Sequence, residues 1–146
     1  MGKVLKIGIA ESKGNQIVDL NEVDVVSGKG LVKDRHFRKN NHKKCQITLI
    51  EIENINYFNK ISSSNISPLN FRRNIVTEGI ELNNLINKEF YIGKIKVKAH
   101  DLCRPCNYLQ KMLNQKSLVE ELLTKAGLRC EILTDGKISI GDLIKK

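Results

Sequence analysis

Short strand-like runs, each closed by a turn signal, constrain this chain of 146 residues more than any other feature. Val4-Leu5-Lys6-Ile7-Gly8-Ile9-Ala10 reads as a strand, followed by a Gly14-Asn15 turn and a return through Ile17-Val18 toward Val23-Asp24-Val25-Val26. Gly28-Lys29-Gly30 then breaks the pattern. Cys45-Gln46-Ile47-Thr48-Leu49-Ile50 is a strand leading into a helix from Glu51 to about Asn59, Ser62-Ser63-Ser64-Asn65 is a loop, and Asn74-Ile75-Val76-Thr77 is a short strand ending at Glu78-Gly79. From Phe90 to His100 the chain alternates apolar and basic residues after Gly93, the period of a strand with one wet face. Leu109, Met112 and Leu113 recur at helical intervals, and Ser117-Leu118-Val119-Glu120 is a capping box opening a helix that closes at Gly127. Leu128 to Thr134 is a strand, Asp135-Gly136 a tight hairpin turn with Lys137-Ile138-Ser139-Ile140 returning, and Gly141-Asp142 a structural turn into Leu143-Ile144. Helices inserted so irregularly do not make a βαβ array. The expected class is mainly β with peripheral helices, a barrel or sandwich.

The length fits one domain, residues 1–146, with a core large enough to need no staples. Only two prolines and no Ser/Gly-rich run leave no linker to mark a boundary. No apolar stretch reaches signal-peptide length or the roughly 20 residues of a membrane span, so a cytoplasmic protein with reduced thiols and no membrane partner is expected. The net charge of +9 comes mostly from scattered lysine. With few aromatics and no recognition-helix pattern, a solvated basic surface is favoured over nucleic-acid binding. The arginines are more informative: Arg35, Arg72, Arg73 and Arg104 fall in loops or at element ends, and a guanidinium fork suits phosphate or carboxylate.

Cys103-Arg104-Pro105-Cys106 is the chemical centre of the sequence. Two thiols at this spacing in a chain with no secretory signal read as redox or metal chemistry before a structural disulfide. Pro105 suits the first turn of a helix, which puts Cys106 at or near a helix N-terminus, where the dipole and Arg104 favour a thiolate. Cys106 is therefore the candidate reactive or metal-ligating sulfur. Cys45 and Cys130, in strand-like runs, are expected as small buried hydrophobes. A structural zinc site would need a further ligand pair that the sequence lacks.

Several segments in order resemble a known family: Gly30-Leu31-Val32-Lys33-Asp34-Arg35-His36, Gln46 opening the next strand, Arg73-Asn74-Ile75-Val76-Thr77-Glu78-Gly79-Ile80-Glu81-Leu82, Phe90-Tyr91-Ile92-Gly93, Pro105-Cys106, and Gly136 to Asp142. Together they resemble a MOSC domain, the module found at the C-terminus of molybdenum cofactor sulfurases and in stand-alone bacterial proteins. The resemblance implies a distorted, closed β-barrel with helices and a key cysteine, here Cys106, that carries sulfur or ligates the molybdenum of a pterin cofactor. Thiolate is a soft ligand suited to such a metal. The resemblance also puts Arg73 and Asn74 near the cofactor, with Asp34, Arg35 and His36 in the family's Gly-Asp-Arg-His segment; Arg104, the cation next to the cysteine in the residue reading, is a further candidate to bind the cofactor. An arginine there would clamp the pterin phosphate, and His36 is a candidate proton donor. Lys33 stands where the family usually has glycine, so an easy positive φ is not expected there.

The expected function is thus molybdenum-cofactor binding, as a reductase-type enzyme with Cys106 on the metal, or sulfur carriage for cofactor sulfuration. The partners would be the pterin cofactor and a sulfur-donor or redox protein. Pyridoxal phosphate is not expected, because the chain has no aminotransferase-like domain. The alternative is a small dithiol redox protein using Cys103 and Cys106, with Cys103 otherwise a buried neighbour.

Overall fold

The computed structural model describes residues 2–105 and 107–146. Its strands are β1 (Gly2–Ile9), β2 (Val18–Leu20), β3 (Glu22–Val26), β4 (Gly30–Leu31), β5 (Ile47–Glu51), β6 (Ile75–Glu78), β7 (Glu89–Ile92), β8 (Ile95–Leu102), β9 (Leu128–Ile132), β10 (Gly136–Ser139) and β11 (Leu143–Lys145), with helices α1 (Ile52–Ile61), α2 (Asn107–Met112) and α3 (Leu118–Glu121). A ring runs β11-β7-β8-β9-β5-β6-β1 and closes where β1 pairs with β11, at Gly2 with Ile144 and Lys3 with Leu143. The protein is a closed seven-stranded β-barrel with few, short helices, as expected. β2 adds to the far half of β1, and β10, β3 and β4 form a separate three-stranded sheet. Register breaks between Val4 and Lys6 and between Ala99 and Asp101 give the bends that closure requires.

Two apolar clusters explain the two kinds of strand pattern. Val4, Ile7, Leu49, Ile75, Phe90, Ile92, Val97, Leu128 and Ile132 fill the barrel, whereas Ile50, Ile55, Phe58, Leu69, Phe71, Val76, Leu118 and Leu122 form a second cluster against the helices. The Phe58 ring meets Phe71 edge-on at 6.2 Å. Because Leu49 and Ile75 belong to the first cluster and Ile50 and Val76 to the second, β5 and β6 are buried on both faces and read as continuous apolar runs. They are also the parallel pair, connected through α1 as parallel strands require. Each large side chain so buried contributes about 2 kcal/mol.

Three local expectations are corrected. The Phe90–His100 run is not one strand but a hairpin, β7–β8, with Ile92 opposite Ile95. Gly93 takes φ +59°, and a Cβ there would lie 2.7 Å from the Asp142 carboxylate. Asp135-Gly136 does not turn β9 back on itself. The edges of β9 are already taken by β8 and β5, so β10 pairs with β3 instead, and Asp135 Oδ1 accepts from the Ser27 N–H at 2.7 Å. The capping box is not made: Ser117 forms no side-chain cap bond, and Gln110 Oε1 from α2 takes the Val119 N–H at 3.0 Å. α3 ends at Glu121, well before Gly127. Among the described residues no helix is long and apolar enough to cross a membrane.

Candidate functional site

The loop that follows β4 is built around one carboxylate. Asp34 has a side chain only 1% exposed; its Oδ1 accepts from the Ala10 N–H and from Arg35 Nη1, both at 3.1 Å, and Oδ2 accepts from the His36 N–H at 3.3 Å. Arg35 also donates through its N–H to the Ala10 carbonyl and through Nη2 to the Arg72 carbonyl at 3.2 Å. The loop therefore fixes a largely buried guanidinium beside Arg72 and Arg73. Burial pushes the Arg35 proton affinity below its ordinary value; Asp34 opposes this, while Arg72 and Arg73 add to it. Lys33 holds φ +70°, so the loop keeps the positive φ despite lacking the glycine, contrary to expectation. Arg72 is likewise left-handed, at φ +65°, after the 3-10 turn Pro68–Phe71. Left-handed backbone strains a non-glycine residue, and these positions flank the arginine cluster.

Asn74 lies behind this cluster as a clamp. Its Oδ1 accepts from the Thr48 N–H and hydroxyl at 3.1 Å, and its Nδ2 donates to the Gly8 carbonyl at 3.2 Å. It thereby ties β5 and β1 to the start of β6 while itself 2% exposed. Asn74 and Asp34 hold the site's shape and do not line its cavities. Gln46, also buried, accepts from the Ile132 N–H at 2.9 Å and fixes the entry to β5 against β9.

Two cavities meet over this scaffold. The larger, about 640 Å³, is lined by Arg35, Arg38, Arg72, Arg73, Lys13 and Tyr108 among others, with Glu11 its one carboxylate. The smaller, about 330 Å³, is lined by His36, Lys44, Cys45, Thr48, Arg73, Cys103, Arg104 and Arg129. His36, Thr48 and Arg73 belong to both, so the two make one basic cleft. Arg73 Nε donates to the Ala126 carbonyl at 2.9 Å, and among the described residues its two terminal nitrogens have no hydrogen-bond partner. Such a set of like charges, several held by backbone carbonyls, is arranged for an anion with oxygen acceptors. The structure thus brings Arg35, His36, Arg73 and Arg104 together around the cleft.

Cys106 lies outside the described residues; the chain before it, at Arg104, lines the smaller cavity, and the chain after it, at Tyr108 and Leu109, lines the larger. α2 opens at Asn107, next in sequence to Cys106. Cys103 is buried, with its thiol pushed up by desolvation despite Arg73 and Arg129. Cys130 is fully buried, as expected, and burial raises its thiol further. Cys45 is not buried: it is exposed, precedes β5, and faces the cleft. The strand starts later because Asn41 draws the preceding segment into a loop, its Nδ2 donating to the Lys29 carbonyl at 2.9 Å, to the His36 carbonyl and to that of Cys45 at 3.3 Å. Lys44, Cys45, Thr48 and Arg129, with Glu11, Lys13, Arg38 and Tyr108 in the larger cavity, are among the lining residues that sequence reasoning missed; the polar run Lys39 to Lys44 was the available signal for Lys44 and Cys45.

Partial burial first and Arg35 second lower the His36 pKa from its ordinary 6.5, with Asp34 only partly opposing, which favours the neutral ring. The depressed folded value means that the unfolded chain takes up this proton first. The His36 contribution to stability is therefore present above about pH 6.5 and is lost as pH falls toward the folded value. An NMR titration should show His36 titrating below a free histidine, and His36→Asn should flatten that limb of the stability curve. A folded pKa above 6.5 would contradict this electrostatic picture.

Comparisons with known proteins agree with the architecture. The YuaD protein of Bacillus subtilis superposes with a TM-score of 0.81 at 20% identity, over 99% of this chain and 94% of that one. YiiM of Geobacillus stearothermophilus gives 0.77 at 15% identity, over 99% and 74%, and YiiM of Escherichia coli gives 0.72 at 16%, over 99% and 69%. These likenesses concern the fold. A comparison with curated proteins gave no match. The model of the MOSC domain matches residues 32–145. That match begins just before the Asp34 loop and ends in the strand that closes the barrel, so the chain belongs to the MOSC domain family.

Proposed function

We propose that this protein binds molybdenum cofactor in the basic cleft, with the Cys106 thiolate as the ligand to molybdenum. The observation that carries the reading is the pair of adjoining cavities lined by Arg35, Arg38, Arg72, Arg73 and Arg104, with a single carboxylate, Glu11, among their lining residues. A pterin phosphate fits these donors, since bidentate guanidinium contacts are among the strongest hydrogen bonds to such oxygens. Arg73, common to both cavities, would hold the phosphate end, and Arg35 would set the local potential. Asp34 and Asn74 would keep the forks aligned without touching the ligand. Molybdenum bound there would supply redox chemistry, and a soft thiolate is an apt ligand for it. In this reading the residues 1–146 act as one MOSC unit.

Protein made in a cofactor-producing host should release a pterin, measurable as its fluorescent oxidation product, in proportion to chain. Arg73→Gln should lower the retained pterin by about tenfold or more, the loss of charge-assisted hydrogen bonds of roughly 1.5–3 kcal/mol. Absence of pterin from the native protein, or equal retention by the variant, would sink the proposal.

A second reading rests on the same cysteine. As a sulfur carrier, the Cys106 thiolate would attack the outer sulfur of a donor persulfide, forming a new S–S bond as the donor thiolate leaves. Mass spectrometry after incubation with such a donor would find the added sulfur on Cys106. A dithiol mechanism is less favoured, because burial keeps the neighbouring Cys103 protonated.

A further inference from the structure

We infer that the smaller cavity is the site for a small anionic substrate, one bearing a carboxylate or a comparable oxyanion, alongside the cofactor. The inference rests on the proposed function to the extent that the larger cavity, with Arg35, Arg38 and Arg72, takes the cofactor phosphate. The cations Lys44, Arg104 and Arg129 line only the smaller cavity, and no carboxylate lines it with them. Asp101, which pairs with both Lys44 and Arg129, offsets only one of these three charges, so a cofactor phosphate held in the larger cavity would leave the smaller one with a net positive lining.

Arg129 supplies the second observation. Its Nη2 donates to Asp101 Oδ2 at 2.9 Å, and Lys44 Nζ stands 3.6 Å from the same oxygen. Asp101 thus aligns the two cations from behind, and their proximity holds its carboxyl below the usual range, with the Arg129 hydrogen bond the main cause. Yet Arg129 Nε is buried without a hydrogen-bond acceptor among the described residues. A buried, unmatched donor carries a desolvation penalty, and a ligand oxygen that met the Arg129 fork as it turned toward the cavity would relieve it. At about 330 Å³ the cavity admits a compact molecule. Cys45, exposed on its wall, gives a reporter for what enters.

The test alkylates the protein as purified with iodoacetate and, separately, with neutral iodoacetamide. Peptide mass spectrometry follows Cys45 apart from the other cysteines, and metal content is measured on the same preparation. The iodoacetate-to-iodoacetamide rate ratio at Cys45 should exceed that of the urea-unfolded chain at least fivefold. It should fall several-fold in Arg129→Gln, and in Lys44→Gln as a second variant should the first fold poorly, but not in Lys60→Gln, which removes the same charge from the exposed end of α1. Malonate at millimolar concentration should slow iodoacetamide at Cys45 at least twofold, at constant ionic strength. A ratio equal to that of the unfolded chain, a ratio indifferent to both cavity substitutions, or no protection by malonate would overturn the inference. The proposed function fails separately, on absent metal and pterin, whatever Cys45 reports.

Discussion

Asp34→Asn is expected to destabilise the protein by about 3–5 kcal/mol, the range for stripping one partner from a buried charge pair. For a chain of this size that corresponds to a fall in melting temperature on the order of 10 °C. The carboxylate serves the N–H groups of Ala10 and His36 and the Arg35 guanidinium at once, so an amide in its place leaves at least one donor facing another donor. Arg35, with a side chain 10% exposed, would then sit uncompensated beside Arg72 and Arg73. Pterin retention should fall with stability, because Asp34 shapes the cleft. A double-mutant cycle with Arg35→Gln separates this account from a general packing defect: the pair variant should recover part of the loss. Strictly additive effects would contradict the assignment of Asp34 as the counter-ion that orders the loop.

Gly127→Ala should be the more severe change. At φ +100° an L-residue is strained, and a Cβ would overlap the Leu49 carbonyl oxygen and lie 2.8 Å from its carbonyl carbon. Neither partner can move: Leu49 is paired on both sides, to Leu128 and to Ile75, and is fully buried in the barrel. The expected loss is more than about 4 kcal/mol, in the range where small domains cease to fold. Gly28→Ala is the comparison. Gly28 has φ +75° but nothing within 4 Å of the added methyl, so only the backbone strain of about 1 kcal/mol is expected. Chemical denaturation of the two variants reads both values. Equal effects would mean that backbone conformation, not the close approach of β9 to β5, governs position 127.

These two positions also mark what the sequence could and could not say. Local periodicity located nearly every strand, because the alternation in Phe90 to Ala99 and the unbroken runs of β5 and β6 follow directly from how many faces are covered. In sequence Gly127 reads as a helix cap, because its local context, a capping box upstream, is a helix signal. Its actual role depends on Leu49, far away in sequence, which no local pattern reports. The Asp135-Gly136 turn failed for a similar reason, since strand partners depend on which edges are already occupied. In the site, Arg35, His36, Arg73 and Arg104 were legible as cations in a family-like order. Asp34 and Asn74 were legible as important positions, but only the hydrogen bonds reveal that they support the cleft rather than line it. Cys45 was hidden by the apolar run it precedes, and Arg129 and Lys44 by the many other basic residues of the chain.

Molybdenum per chain, measured in native protein and in Cys106→Ser expressed side by side in a cofactor-producing host, tests the central claim most directly. The account predicts molybdenum in the native protein, with X-ray absorption showing a thiolate sulfur that Cys106→Ser lacks, and a several-fold lower metal content in that variant. Native protein that carries no molybdenum, or a Cys106→Ser variant that binds it with the same content and the same sulfur ligation, would contradict it.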